Sequence, residues 1–349
     1  MSVDLSKLVV RRKITVDELN DRVIAVDAYN VLYQFLSIIR QPDGTPLMDQ
    51  NGNVTSHLSG LFYRTIELIE HGVKPIYVFD GLPSMLKQKT IEARMQRRAS
   101  AYEAWQQAKE AGAVEQARTY AQQSSRVDRR IVDSSKQLLE LMGVPYINAP
   151  GEGEAQASYM CAHGLVYAAA SQDYDTLLFG SKNVVRNLAL SGRRKLPKKN
   201  IYIEVQPELV NLDETLTSLG ITRQQLIWIG ILLGTDFNEG IKGVGPKTAL
   251  KAAKSARSLA DIKDFAKSKG GEFELDVAEV EQLFTKPEVT ELERSYIAAA
   301  LDSKADAKGI VRFMCDEHGF SKERVAKYAQ LLEKRKGSAR QAGISSWVS

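Results

Sequence analysis

Six carboxylates stand where four short apolar runs end. Asp27 closes VIAVD (23–27), Asp80 closes PIYVFD (75–80), Glu152 and Glu154 follow VPYINA (144–149), and Asp173 and Asp175 follow VYAAAS (166–171). A lone Asp after a strand is more often a helix cap or turn former than a ligand. Repetition at four strand ends shifts that balance, because open α/β sheets gather ligands and catalytic groups at the carboxyl ends of their strands. Each later pair has i, i+2 spacing, which on an extended segment turns both carboxylates to one side. Anions gathered so closely repel one another unless a strong positive charge sits among them. Oxygen-only donors suit Mg²⁺, with Mn²⁺ as a substitute, and disfavour zinc, since no histidine or cysteine joins the set. Two such ions roughly 3.5–4 Å apart activate a water and stabilise the leaving oxygen of a phosphodiester. The plainer alternative is an acidic rim that caps helices and keeps the protein dissolved. The agreement of four strand ends weighs against it.

The runs that carry these acids alternate with helical stretches, which predicts an α/β fold with a mostly parallel, twisted central sheet flanked by helices. Between the first two runs, Leu58, Leu61, Phe62, Ile66 and Ile69 recur at helical spacing within 55–71, completing a strand–helix–strand crossover. Val184-Val185 and IYIEV (201–205) flank a basic turn at 191–199 and predict a hairpin or sheet-edge element. That turn lies either near a phosphate backbone or simply in solvent. Residues 84–130 are polar and helix-favouring, with ten basic residues against five acidic ones. They predict a helical insertion, and a solvated helical pair is the equally weighted plain reading. Helical patterns dominate beyond Gly220, and the stretch from Lys336 onward lacks periodicity, which predicts a flexible tail.

The 349 residues are 44% apolar, enough for an ordinary core in one large domain or two closely joined ones. A formal charge of +4 hints only mildly at a polyanionic partner, so local distribution carries the signal. Cys161 and Cys315 lie far apart without metal-ligand spacing, which fits a reduced compartment. No apolar run reaches the ~18 residues of a membrane span, and the N-terminus lacks a signal-peptide pattern. The expectation is an intracellular protein, monomeric by itself, of the cytoplasm or nucleoid, or nuclear in a nucleated source.

GTDFNEGIKGVGPKTALK (234–251) places Gly243 and Gly245 between two helical patterns, with Lys242, Lys247 and Lys251 alongside. A helix–glycine hairpin–helix presents backbone N–H groups to a phosphate, although a lone G-x-G is usually just a turn. Such an element grips duplex without reading bases. Lys87 and Arg94 lie seven apart, two turns along one helical face, and begin seven residues after Asp80. They are within reach of a scissile phosphate, or form a solvated stripe. Tyr33 offers a stacking face to a base or belongs to the core, two readings of equal weight.

VIAVDAYNVLYQFL, TSHLSGLFYRTI, KPIYVFDG, GEGEAQASYM, ASQDYDTLLFG, LLGTDFNEGIKGVGPKTAL and FMCDEHGFSKERV together resemble the flap endonucleases of the XPG-type 5′ nuclease superfamily, in order, over residues 1 to about 335. The resemblance implies a structure-specific 5′ flap endonuclease, with 5′–3′ exonuclease activity, serving Okazaki fragment maturation and long-patch base excision repair. It implies metal ligation by Asp27, Asp80, Glu152, Glu154, Asp173, Asp175 and also Asp236, which spacing alone does not assign. It implies that Lys87 and Arg94 lie in an arch threaded by a single-stranded flap, that Tyr33 stacks near flipped terminal bases, and that Arg40, Thr55 and Arg64 handle the 3′-flap nucleotide and downstream backbone. The glycine hairpin would grip duplex beside a monovalent cation. On this pattern residues 1–105 form an N-terminal nuclease region, 84–130 the arch, 116–258 an internal nuclease region containing the helix–hairpin–helix (222–258), 259–335 a C-terminal helical region and 336–349 a tail.

QAGISSWVS (341–349) resembles the peptide with which such nucleases dock on the sliding clamp, PCNA, through Gln341, Ile344 and Trp347, with Val348 replacing a second aromatic. Ser2, His318 and the short NEGI of the hairpin depart from the family pattern without touching the metal ligands. The lack of a basic extension after the peptide points to an archaeal source. Rival readings are a sister gap endonuclease, exonuclease or repair incision enzyme, a phosphatase or phosphotransferase for small molecules, and a silent junction binder. The glycine hairpin and basic insertion argue against the phosphatase, and the full set of acids argues against the silent binder.

Overall fold

The computed structural model describes the backbone of residues 3–190, 192–195 and 202–345, and the side chains of these apart from 190, 192–195, 202–204 and 336–345. Its strands are β1 (Arg11–Lys13), β2 (Val23–Asp27), β3 (Lys74–Phe79), β4 (Tyr146–Asn148), β5 (Ala168–Ala170), β6 (Asn183–Arg186), β7 (Gly192–Lys195), β8 (Tyr202–Val205) and β9 (Glu208–Asn211). The helices of the first half are α1 (Ala28–Ile38), α2 (Ser56–Glu70), α3 (Gln88–Glu110), α4 (Val114–Gln123), α5 (Arg129–Leu141), α6 (Gly153–Ala162) and α7 (Asp175–Leu178). The second half adds α8 (Leu212–Leu219), α9 (Arg223–Leu233), α10 (Pro246–Ser255), α11 (Leu259–Ser268), α12 (Val277–Thr285), α13 (Arg294–Leu301), α14 (Ala307–Val311), a π-helical turn (Arg312–Glu317) and α15 (Lys322–Ser345).

Seven strands form one sheet in the order β1-β9-β6-β5-β2-β3-β4. β6, β5, β2, β3 and β4 run parallel, while β9 is antiparallel to both β6 and β1. The chain winds outward from β2 through β3 to β4, then returns to β5 on the other side of β2. The carboxyl ends of β2 and β5 therefore flank a topological switch point, where a crevice opens. Alternation along the strands explains the layers. Ile24, Val26, Tyr77 and Phe79 face a core shared with α1, α2, α5, α14 and α15. Ala25, Ile76 and Val78 face α6 and α13 on the opposite side. Strands buried on both faces read as continuous apolar runs, as these do. A further core around α7 and α9 to α12 takes Val184 and Val210 from the sheet. No single helix among the described residues is long and apolar enough to cross a membrane.

Two expectations need correction. Val184-Val185 does not pair with IYIEV. β6 lies inside the large sheet between β5 and β9, and β8 pairs with β7 in a separate two-stranded ribbon. Val184 and Val185 are both fully buried, one on each face, as a strand inside a sheet requires. The stretch from Lys336 was expected to be irregular, yet α15 continues to Ser345. Its Lys, Arg, Ala, Gln and Leu content favours helix without any apolar period. The side chains of Gln341 and Ile344, and all of Trp347 and Val348, lie outside the described residues.

Candidate active site

Local devices place the acidic residues around the sheet edge. Asp27, the last residue of β2, caps α1 by accepting the Asn30 N–H at 3.0 Å. Asp80, just past β3, accepts the Gly153 N–H at 2.7 Å. That approach requires glycine, since a Cβ at 153 would lie 2.6 Å from Asp80 Oδ1. Glu152 is the N-cap of α6 and Glu154 sits in its first turn, where the positive end of the helix dipole favours anions. Asp173 lies in the loop after β5 and donates its N–H to Ser171 Oγ at 3.2 Å. Asp175 begins α7 and accepts the Val3 N–H at 3.2 Å. Asp236 comes from the turn after α9, which is braced by Thr235 N–H to the Asn238 carbonyl and by Asn238 Nδ2 to the Ile231 carbonyl.

The i, i+2 spacing turns the carboxylates of one pair, but not of the other, to a common side. Each pair straddles a loop-to-helix junction instead of an extended segment, so Glu152 and Glu154 diverge, whereas Asp173 and Asp175 both face Glu154. Glu152 lies beside Lys87 and Asp80, whereas Glu154 faces Asp173, Asp27 and Asp175. The convergence is real because the strand ends, not the spacing, bring the acids together.

A cavity of about 350 Å³ opens over the set, lined by Asp27, Asp80, Glu152, Glu154, Asp173 and Asp236, with Asp175 buried behind them. Burial, with Asp80 and Asp173 nearby, pushes Asp27 up to about 8. Burial with Asp236 and Asp173 does the same for Asp175, also to about 8. Asp80 rises to about 6, because burial and the charge of Glu152 are partly offset by Lys87. Burial beside three other acids pushes Glu154 well up. Asp236 goes the other way: burial raises it, but Arg94 and Lys87 outweigh that and hold it low.

Those two cations come from the start of the insertion. Lys87 pairs with Glu152 and lies 3.6 Å from Asp236, while Arg94 Nη2 reaches both oxygens of Asp236 at 2.6 and 2.8 Å. The solvated-stripe reading therefore does not hold for them. Among the described residues no three acidic, histidine or cysteine side chains form a closed ion cage, and the Lys87 ammonium bridges Glu152 and Asp236. The donor set still fits a hard divalent cation. It is all oxygen, largely buried, and its acids resist ionising together, a resistance that added positive charge relieves.

Tyr33 is half-buried on the cavity wall and not part of the core, and the Arg98 guanidinium lies 4.6 Å from its ring centre. Arg98, one turn beyond Arg94, was missed, although its i+4 spacing was a usable signal. Asn30 and Ser171, which touch the acids directly, were also missed.

Arg40, Thr55 and Arg64 lie outside the cavity. Arg40 donates to the Leu36 and Gly44 carbonyls and to Ser125 Oγ at 2.6, 2.7 and 2.9 Å. Thr55 is buried ahead of α2, its N–H on the Leu47 carbonyl. Arg64 is buried against the Leu188 carbonyl and pairs with Glu67 at 2.7 Å. His318 packs on the Phe313 ring and faces Asp49 at 3.5 Å. Between α9 and α10, Gly243 has a φ of +83°, while Gly245 caps α10 ahead of Pro246. A Cβ at either glycine would meet nothing within 4 Å. Gly245 thus leaves open space above a helix N-terminus.

Comparison with known proteins shows the family. Residues 4–101 match the XPG N-terminal domain and residues 143–236 the XPG I-region. The chain is 48% identical to Flap endonuclease 1 of Pyrococcus furiosus over 99% of both chains. The chain belongs to the flap endonuclease family. Flap endonuclease 1 of Methanococcoides burtonii is 49% identical over 99% of this chain and 100% of its own, so the family match extends across diverse archaea. The solved flap endonuclease-1 from Methanococcus jannaschii superimposes with a TM-score of 0.74 at 37% identity, covering 97% of this chain and 99% of that one. The catalytic core of Rad2 in complex with DNA substrate shares the fold, with a TM-score of 0.66 at 24% identity over 92% and 96% of the two chains. Nucleases of the flap endonuclease family are typically metal-dependent.

Proposed function

We propose that this flap endonuclease cuts a phosphodiester near the base of a 5′ flap using two Mg²⁺ ions, with Mn²⁺ able to substitute. The observation that carries the reading is the meeting of seven carboxylates with Lys87 and Arg94 at the switch point of the sheet. Asp27, Asp80, Glu152, Glu154, Asp173, Asp175 and Asp236 would hold the ions. Bound there, the pair would lower the pKa of the attacking water and stabilise the leaving oxygen. Lys87 and Arg94 are already at the acids, and on arrival of a phosphate they would turn part of their charge to it, stabilising the transition state. Tyr33 would stack on a base beside the scissile bond.

In this reading residues 1–105 and 116–258 are the nuclease regions, with 84–130 as the arch. Residues 222–258 grip duplex through Gly243, Gly245 and the N-terminus of α10, beside a monovalent cation. Residues 259–335 support that grip. Arg40, Thr55 and Arg64 serve the 3′ flap and downstream backbone through the loops they brace. The tail docks on the clamp through Gln341, Ile344, Trp347 and Val348. The enzyme acts as an intracellular monomer in Okazaki fragment maturation and long-patch base excision repair, with 5′–3′ exonuclease activity on the same site. A labelled double-flap DNA with a one-nucleotide 3′ flap, incubated with Mg²⁺ or chelator, tests the reading. Incision at the flap base is expected from the intact protein with metal and not from Asp175→Ala. Tight binding without incision in Mg²⁺, or in Mn²⁺ put in its place, would make the chain a junction binder.

A further inference from the structure

Two uncharged side chains tie together three of the elements that carry the acids. Ser171 is buried in the loop after β5. Its Oγ accepts the Asp173 N–H at 3.2 Å and lies 2.7 Å from Glu154 Oε1 and 3.4 Å from Asp27 Oδ2. A hydroxyl has one proton to give, and the shorter contact directs it to Glu154. One atom thus links the first turn of α6 to the loop after β5 and borders the end of β2. Asn30 works from the other side. Its backbone N–H reaches Asp27 and its Nδ2 reaches Asp173 at 3.3 Å. An ionised Asp173 carboxylate only accepts, which turns the Asn30 N–H groups toward it, and Gln34 Nε2 donates to Asn30 Oδ1 behind.

Neutral donors suit this position for a physical reason. The acids here are crowded and mutually repulsive, with Asp27 and Asp175 buried, so without donors each would swing away from its neighbours or take up a proton. A cation would hold them in place but would also compete with a metal for the same oxygens. A hydroxyl and an amide orient the carboxylates while leaving their net charge for an incoming ion. Groups that orient ligands from behind commonly affect metal affinity or activity about 10–100-fold.

We infer that Ser171 and Asn30 are positioning residues, a neutral clasp that sets the spacing of Glu154, Asp173 and Asp27 for cation binding. The inference rests on the reading of those acids as metal ligands. Mn²⁺ binding to the full-length protein without DNA, followed by electron paramagnetic resonance, tests it in wild type, Ser171→Ala, Ser171→Thr and Asn30→Ala. Ser171→Ala is expected to bind Mn²⁺ about tenfold more weakly, and Asn30→Ala at least about threefold more weakly. Ser171→Thr, which keeps the hydroxyl, should return to within about twofold of wild type. In flap cleavage, the alanine variants should need correspondingly more metal for half-maximal kcat, with KM for DNA unchanged. Wild-type Mn²⁺ affinity in both alanine variants, even alongside a lower melting temperature, would overturn the clasp. Should Ser171→Ala fail to fold, Asn30→Ala decides alone. No Mn²⁺ binding by the wild type would instead overturn the assignment of the acids.

Discussion

The acidic and basic sides of the cavity are built by opposite means. Six of the acids follow parallel strands of the sheet, and Asp27, Asp80, Glu154 and Asp175 are each fixed by a backbone N–H or a hydroxyl. The cations stand at the root of α3, a long polar helix that buries only Ala101, Trp105 and Ala108. Trp105 and Ala108 join Ala117 and Ala121 of α4 in a core of their own, separate from the sheet. Lys87 and Arg94 are held mainly by the charges they meet. Geometric precision thus resides in the sheet, while the insertion supplies charge that can be redirected. Elements with few buried apolar contacts open more readily than those packed in a central core.

Removing one acid attacks the precise side and should cost most. Asp80→Asn is expected to lower kcat about 10³-fold while the protein remains folded, checked by single-turnover cleavage and circular dichroism. Lys87→Ala attacks the adjustable side. It should lower kcat about 10²-fold with KM for flap DNA changing by less than about threefold, as expected for charge used chiefly in the transition state. If Lys87→Ala cost as much as Asp80→Asn, the division between precise and adjustable sides would fail. Trp105→Ala leaves both sets of charges in place but empties the small core of the insertion. A fall in kcat/KM of about threefold is expected, with faster proteolysis within 84–130 and little change in the main melting transition. A loss of global stability matching that of a sheet-core truncation would mean that the insertion and sheet are one packing unit.

The same contrast explains what could be read from the sequence. The parallel sheet was legible because its strands are short apolar runs between amphipathic helices, and six acids were legible because each follows such a run. Asp236 was not, since it sits in a turn after a helix and owes its place to tertiary packing of α9 against α7 and α12. The pairing of β6 with β9 was hidden because ELVN has only one fully buried residue and no strong strand pattern. The placements of Lys87 and Arg94 were visible as a helical face, but their pairing with Glu152 and Asp236 depends on how the insertion folds over the sheet. Asn30 and Ser171 carry no charge and no periodic signal, so only the hydrogen bonds revealed them.

Buried, crowded acids make a site for divalent cations, and thermal unfolding at controlled pH reports whether they do. Asp27, Asp80 and Asp175 are pushed up to about 8, 6 and 8, so the folded protein keeps protons that the unfolded chain releases. In chelator their contribution to stability is therefore fullest below the ordinary carboxylate value near 4 and is lost as pH rises toward 8. At pH 8, Mn²⁺ at about a hundredfold excess over its dissociation constant should raise the melting temperature of the wild type by about 5 °C, and that of Asp175→Ala by much less. An unchanged wild-type melting temperature, or an equal rise in both proteins, would contradict the account.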